Sequence, residues 1–182
     1  MVAQRFSAGL RKGSRTSPVR DNARQLQTLK VHTTSNLLLR PFRPADLDTL
    51  WRIDQECFPP GIAYSRAELV HYVKQRGAFT LVGEKDVAIA GYVVAELHGS
   101  QGHIVTLDVL PPVRRSGLGS KLMSAAEEHL RAAGCSRVSL ETAVDNAAAL
   151  AFYKRHGYSV VGTIPRYYQN SLDALRMEKQ LA

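Results

Sequence analysis

The pattern of apolar and polar residues becomes regular from residue 36 onward, where it first predicts one strand and two helices. Residues 36–42 form a short apolar run that ends near a proline, which is typical of a strand. From Pro44 to Phe58 the apolar residues recur near helical spacing, which predicts the first helix. Ser65 and Glu68 form a capping box and predict a second helix that runs to about Gln75.

Three strand-like runs follow, separated by short polar turns that contain glycine. They span Phe79–Glu84, Val87–Leu97 and His103–Leu110. Runs of β-favouring residues joined by such turns indicate an antiparallel meander.

In the second half of the chain, predicted strands and helices alternate. Residues 117–133 carry apolar side chains at every fourth position, which predicts a long amphipathic helix ended by Gly134. Residues 137–141 are predicted to form a strand. Asp145 is the predicted cap of a further helix that ends at Gly157. Because this order implies a parallel βαβ unit joined to an antiparallel sheet, we expect a mixed α/β fold. The last predicted elements are two strands, Tyr158–Thr163 and Leu172–Glu178.

Composition is that of one globular domain. The chain has 182 residues, of which 45% are hydrophobic and 22% charged, the usual balance of a soluble protein. No apolar run approaches the roughly 18 residues that a membrane-spanning helix needs. The two cysteines, Cys57 and Cys135, are too few for a disulfide framework. We therefore expect a cytoplasmic protein that makes no membrane contact.

The positive charge is concentrated at the N-terminus. Residues 1–30 hold seven of the 24 Lys and Arg but only one of the 16 acids, and so carry six of the eight net positive charges. With no sustained apolar period, residues 1–35 are predicted to be a disordered basic extension, and residues 36–182 the domain. A transit peptide and a nucleic-acid-binding arm remain open for the extension.

Candidate chemistry lies between Leu107 and Ser120, where a strand gives way to the long helix. Two glycines, Gly117 and Gly119, open that helix. Glycine lets the backbone approach a bulky anion, and the first N–H groups of a helix have no internal partner, so this turn is a candidate phosphate site. A Walker loop and a dinucleotide fingerprint both fail on spacing, since no glycine stands five residues before Gly119 and Leu122 occupies the third glycine position.

The segment Arg114-Arg115-Ser116-Gly117-Leu118-Gly119 fits the pyrophosphate loop of GNAT acyltransferases, Gln/Arg-x-x-Gly-x-Gly/Ala. A second segment, from Asn146 to Tyr158, resembles the family pattern Asn-x-x-Ala-x-x-Phe/Leu-Tyr-x-x-x-Gly-Phe/Tyr. On these two matches the chain resembles the GNAT N-acetyltransferases over residues 36–182. Within the family the resemblance is strongest to ribosomal-protein alanine N-acetyltransferases and related protein N-terminal acetyltransferases. This closer resemblance rests on Glu141 and on the Tyr167–Tyr168 pair.

The resemblance implies a GNAT-like fold, with a mixed, mostly antiparallel sheet of six to seven strands and about four helices. It implies acetyl-CoA as cosubstrate and a peptide or protein N-terminal α-amine as acceptor. A small-molecule amine, such as a polyamine, an amino acid or a drug, stays open as acceptor. A non-catalytic acyl-CoA-binding or nucleic-acid-binding module that uses the basic extension is the remaining alternative, and we expect no nucleic acid to bind elsewhere.

The resemblance also implies site residues. Asn146 is expected to hydrogen-bond the pantetheine arm, to which two strand positions should offer backbone groups. Apart from the resemblance, four aromatic residues are candidates to line an acceptor groove, with ordinary packing as the alternative for some of them: Phe58, Tyr64, Tyr167 and Tyr168. The expected cofactor-binding residues are Leu107, Val109, Arg114, Arg115, Ser116, Gly117, Leu118, Gly119, Ser120, Asn146 and Tyr153.

Acetyl transfer to an amine needs a base for the amine and a proton for the departing thiolate. At pH 7 an α-amine is about one-seventh neutral, whereas a lysine amine is below roughly 0.1% neutral. Glu141 is the candidate base, directly or through water, and Tyr153 the candidate acid. A phenol ordinarily has a higher pKa than a thiol, so this donation is uphill unless the site shifts either value. The histidines and cysteines form no metal-ligand spacing, and no metal is expected. His103, at the start of a predicted strand, could relay protons, but an isolated histidine is usually structural or solvated.

Overall fold

The structure is a computed structural model that describes residues 36–60, 62–168 and 171–181. Its centre is a seven-stranded sheet in the order β1-β2-β3-β4-β5-β7-β6. Neighbouring strands are antiparallel except for β4 and β5, which are parallel. The strands are β1 (Leu37–Pro41), β2 (Ala78–Lys85), β3 (Ala88–His98), β4 (Gln101–Val109), β5 (Arg137–Ala143), β6 (Ser159–Tyr168) and β7 (Leu172–Gln180).

Four α-helices cover the two faces of the sheet, and a short 3-10 turn precedes both α1 and α3. Leu50 of α1 and Leu69 of α2 share one apolar cluster with Tyr92 and Val94 of β3. The neighbouring β3 residues Val93 and Ala95 belong to a second cluster, together with residues of α3 and α4. Because side chains alternate across a strand, these two clusters lie on opposite faces. The helices are α1 (Leu47–Cys57), α2 (Arg66–Lys74), α3 (Leu118–Ala132) and α4 (Ala147–Arg155).

The predicted mixed fold, meander and βαβ unit are confirmed. Strands β2 to β4 pair as consecutive antiparallel neighbours, and α3 connects the parallel strands β4 and β5. The capping box at Ser65 and Glu68 is present at the start of α2. The prediction for residues 1–35 lies outside the described residues and stays a prediction.

The predicted cap of α4 is wrong by one residue. Asn146, not Asp145, is the N-cap, because its Oδ1 accepts a hydrogen bond from the N–H of Ala149 at 3.1 Å. Both residue types are good caps, so sequence preference could not separate two adjacent candidates.

The parallel pair β4 and β5 separates after a short contact. Their pairing runs from Gln101 with Arg137 to His103 with Ser139. Beyond that point β4 continues to Val109 and β5 to Ala143 with no mutual pairing described. The facing backbone edges in this gap are therefore available to an extended ligand.

Candidate active site

The loop before α3 has the backbone that an anion site requires. Gly117, the N-cap of α3, has φ +92°, and a Cβ placed on it would meet nothing within 4 Å. The left-handed backbone rather than lack of space therefore favours glycine here. The first i to i−4 bond of the helix runs from the N–H of Lys121 to the oxygen of Gly117, at 3.0 Å. The N–H groups of Gly119 and Ser120 precede that bond and, together with the helix dipole, fit a phosphate.

Other predicted loop residues differ in what they can offer. Arg115 and Ser116 are exposed, whereas Leu118 is buried beneath the loop. A Cβ on Gly83 would come within 2.7 Å of the Leu118 side chain, which shows how tightly that side chain packs against β2. Only the backbone of Leu118 is therefore open to a cofactor. The N–H of Leu118 donates a long hydrogen bond to the Oγ of Ser116, at 3.4 Å.

Tyr153 lies on α4 with its side chain entirely buried. Its ring makes edge-to-face contacts with Phe152 and Tyr158, at centroid distances of 5.4 and 5.9 Å. Burial raises the pKa of Tyr153 well above its ordinary value, and the nearby Tyr168 and Asp108 raise it further. The phenol is therefore neutral at any working pH and holds a proton, but it is a weaker acid than a free phenol.

Glu141 is the centre of a polar network on the α1 and α2 face of the sheet. Its Oε2 lies 2.8 Å from Nε2 of His103, and its Oε1 accepts a hydrogen bond from Nε of Arg176 at 3.3 Å. Burial alone would raise the pKa of Glu141, but the hydrogen bonds and charges of His103 and Arg176 outweigh it and lower that pKa. Glu141 is thus an ionised carboxylate at neutral pH and, taken alone, a weak base.

Aromatic side chains surround this network. Burial raises the pKa of Tyr167, and the charge of Glu141 adds to it, followed by Tyr168 and Tyr72. Tyr72 of α2 also contacts Tyr64, with ring centroids 5.0 Å apart. Tyr167 is thus placed beside Glu141, as an acceptor groove requires.

Two of the predicted acceptor residues also pack in the interior, so their role at an acceptor stays a prediction. Phe58 and Tyr64 are buried in the cluster under α1 and α2. The backbone of Tyr64 is fixed too, because its N–H donates to Asp54 at 2.7 Å and its oxygen accepts from Trp51 at 3.1 Å. Their packing limits the contact that either ring can make with an acceptor.

Another buried carboxylate, Asp108, lies near the end of β4, and no residue pattern indicates its burial. Asp108 is 1% exposed and accepts a hydrogen bond from Oγ1 of Thr106 at 2.7 Å. Burial, followed by the charge of Asp108, raises the pKa of the Cys57 thiol to about 12. That thiol is therefore protonated at neutral pH and does not act as a nucleophile.

The contacts of His103 and Arg176 with Glu141 are the features of the site that the sequence did not reveal. The two residues lie 38 and 35 residues from Glu141 along the chain. The predicted βαβ unit was the sequence signal available for the contact of His103. It makes the strand at residues 137–141 parallel to the strand before the long helix, whose first residues then lie beside it. Among the described residues there is no group of three or more His, Cys, Asp or Glu that could hold a metal ion. No described helix is long and apolar enough to span a membrane.

Comparison with known proteins agrees with this geometry. The profile of the acetyltransferase (GNAT) family matches residues 47–158. An uncharacterised N-acetyltransferase of Methanocaldococcus jannaschii is 30% identical over 145 residues, 79% of this chain and 92% of that one. An N-alpha-acetyltransferase of Sulfurisphaera tokodaii is 27% identical over 156 residues, again 79% and 92% of the two chains. The crystal structure of the ribosomal-protein alanine N-acetyltransferase of Escherichia coli superposes with a TM-score of 0.74 at 19% identity, over 81% of this chain and 95% of that one.

The chain belongs to the GNAT acetyltransferase family, and the expected family, fold and enzyme class are confirmed. It is an acetyl-CoA-dependent N-acetyltransferase. The cosubstrate fits the residues present, since the opened N-terminus of α3 suits its diphosphate and the gap between β4 and β5 suits its extended arm.

Proposed function

We propose that this enzyme acetylates the N-terminal α-amine of a protein or peptide, with Glu141 and His103 receiving the amine proton and Tyr153 protonating the thiolate. The observation that carries the proposal is the 2.8 Å contact between Glu141 and His103, next to Tyr167 and level with the gap between β4 and β5. The name of the Sulfurisphaera relative supports the same acceptor.

The electrostatics of the pair suit an α-amine better than a lysine. With its pKa lowered, Glu141 has little affinity for a proton of its own. An α-amine is about one-seventh neutral at pH 7 and needs only modest help, whereas a lysine amine is below roughly 0.1% neutral. A weak base therefore favours the acceptor that is already partly deprotonated.

Each site residue has a distinct task. Bound acetyl-CoA supplies the activated acetyl thioester. The carboxylate of Glu141 fixes the ring of His103 and stabilises the positive charge that the ring gains with the amine proton. Tyr153 keeps its proton until a thiolate forms, because its raised pKa prevents earlier loss, although the same rise makes donation to the thiolate more uphill than from a free phenol. The backbone of Leu107 and Val109 lies along the gap, where its edge can bind the arm and polarise the thioester carbonyl.

A finer proposal is an acceptor of the ribosomal-protein type that begins with alanine. It rests on the position of Glu141 before the Asn-Ala-Ala-Ala segment and on the Tyr167–Tyr168 pair. Tyr168 is buried, with its ring centroid 5.1 Å from that of Tyr167, so the half-buried Tyr167 is the member of the pair placed to contact an acceptor.

The test is a panel of acceptors assayed with acetyl-CoA, with the acetylated atom located by mass spectrometry. The panel contains peptides that begin with alanine, serine or methionine, the same peptides with a blocked α-amine and an internal lysine, and free polyamines and amino acids. We expect acetylation of unblocked peptides only, at the α-amine. Efficient acetylation of a blocked peptide or of a free small amine would overturn the proposal.

A further inference from the structure

The network around Glu141 continues across the sheet toward β3. His103 lies directly opposite Glu96 in the register of β3 and β4. Both side chains face α1 and α2, because the adjacent register pair, Ala95 and Ile104, belongs to the cluster under α3 on the other face. Directly opposite residues of an antiparallel pair have Cβ atoms about 4.5–5.5 Å apart. His103 thus lies between the strand that carries Glu96 and the strand that carries Glu141.

Glu96 is buried, and only one of its two oxygens is satisfied. The residue is 2% exposed. Its Oε2 lies 2.9 Å from Nε2 of His98 and accepts a hydrogen bond from Nε2 of Gln75 at 3.3 Å. Among the described residues, its Oε1 has no hydrogen-bond partner. A buried carboxylate oxygen without a donor is unfavourable, and the imidazole on the facing strand can supply one.

His98 connects Glu96 to water. It lies two residues further along β3 on the same face, and its side chain is 56% exposed. Glu141 and His103, by contrast, have side chains that are only 6% and 17% exposed. The buried Glu141–His103 pair, which takes up a proton in every turnover, therefore lies on the same face of the sheet as an exposed histidine, His98, that can exchange protons with water.

We propose that Glu96 and His98 form the route by which the acceptor's proton leaves the site. The inference rests on the proposed role of Glu141 and His103. The amine nitrogen keeps the electron pair of the N–H bond that breaks, and its proton charges the Glu141–His103 pair. The resulting imidazolium gives a proton to Oε1 of Glu96 and becomes neutral again. Glu96 passes that proton to His98, which releases it to water.

The charged and titratable groups around this route come from several elements. Glu141 faces His103 from β5 and Glu96 faces it from β3, while Arg176 of β7 binds Glu141 from the far side. Tyr167 of β6 also lies close to Glu141. The uncharged Gln75, the C-cap residue of α2, donates a hydrogen bond to Glu96.

The alternative is that Glu96 has a purely structural role and holds the end of α2 through Gln75. A test must distinguish this role from proton transfer. We would compare the wild type with Glu96→Gln, Glu96→Asp and His98→Asn. Glu84→Gln is the matched control, since Glu84 also lies on a strand and is also ion-paired, to Arg40 at 2.7 Å. Turnover of an accepted amine would be measured at pH 7 in dilute buffer, with and without added imidazole, together with KM and melting temperature.

We expect Glu96→Gln to lower kcat about tenfold with unchanged KM values, less than the loss of a direct acid or base, because water replaces part of the route. Added imidazole should restore turnover in this variant but not raise it in the wild type. Glu96→Asp, which keeps a carboxylate, should lose less than Glu96→Gln, and Glu84→Gln should stay near wild type. His98→Asn should lose about threefold because water still reaches Glu96.

Wild-type kcat in both Glu96→Gln and His98→Asn would overturn the relay. So would a loss that imidazole does not restore and that follows a fall in melting temperature. If Glu96→Gln does not fold, His98→Asn decides alone through its imidazole rescue. If the accepted amine is not an N-terminal one, only the acceptor proposal fails, because any amine must lose a proton and the same comparison applies to it.

Discussion

Arg114 is hydrogen-bonded to the last residue of β4, since its Nε donates to the carbonyl oxygen of Val109 at 3.0 Å. The Sγ of Cys57, at the end of α1, lies 3.4 Å from the same oxygen. One carbonyl thus joins the loop before α3, the end of β4 and the end of α1. These three segments are thereby held in a fixed relation to one another.

The first prediction concerns the anion site at Gly117. Replacing Gly117 with valine forces a branched residue into a left-handed backbone, so the loop must change shape. We expect acetyl-CoA affinity, measured by calorimetry, to fall at least tenfold, or about 1.4 kcal/mol. Gly99→Val is the matched control, because Gly99 has φ +62° and equally open surroundings in the β3–β4 turn. Equal affinity in both variants would remove the phosphate site from this loop.

The second prediction separates two roles of Asn146. Its Oδ1 already caps α4, so any cofactor contact must use the rest of the amide. Asn146→Asp keeps a capping oxygen but lacks the N–H donors, and we expect it to retain its melting temperature and lose acetyl-CoA affinity. Asn146→Ala should lose both, with a stability cost of about 0.5–2 kcal/mol. If Asn146→Asp binds acetyl-CoA normally, the residue is a helix cap alone.

Local patterns were enough to predict the elements and the anion site. The capping box at Ser65, the helix stop at Gly134 and the two glycines at the start of α3 are each set by neighbours in the chain. The partners of Glu141 are not local, since His103 and Arg176 reach it only through strand register. An isolated histidine carries no sequence signal of that kind, and so the sequence favours a structural or solvated His103 over the proton relay that it also allows.

Burial was the other property that the sequence did not reveal. Phe58 and Tyr64 are aromatic candidates for the acceptor groove, and both pack under α1 and α2. Aromatic residues serve the core and binding sites equally well, and only the packing distinguishes the two. The same holds for Asp108, whose complete burial nothing in its neighbouring residues indicates.

The third prediction concerns the proton donor. Tyr153→Phe removes the hydroxyl while keeping the ring contacts with Phe152 and Tyr158. We expect kcat to fall by about 10²–10⁴-fold over the whole range from pH 6 to 9, because the missing proton serves the thiolate and not the amine. Acetyl-CoA affinity should hardly change. Wild-type turnover in this variant would mean that water protonates the thiolate.

The fourth prediction concerns Glu141→Gln, which keeps the shape of the side chain and removes its charge. If Glu141 helps to take the amine proton, the rate deficit should be greatest at low pH and shrink as pH rises past the amine pKa, near 7.8 for an α-amine. The carboxylate itself does not titrate across this range, because His103 and Arg176 overcome the effect of burial and hold its pKa below the ordinary value. A deficit that is equal at every pH would assign Glu141 to orientation or peptide binding.

Stability provides an independent check on the state of Glu141. Because its pKa is lowered in the folded protein, its ionised form stabilises the fold above the unfolded-state pKa, near 4.3, and that stabilisation is lost as pH falls through the folded value. The wild type should therefore melt above Glu141→Gln at pH 7, and the difference should shrink in acid. Thermal melts from pH 7 down to pH 3 measure it, with Glu84→Gln for comparison. A difference that is constant with pH would show that packing, rather than the charge of Glu141, causes it, and the carboxylate would then not be the ionised group that the proton transfer requires.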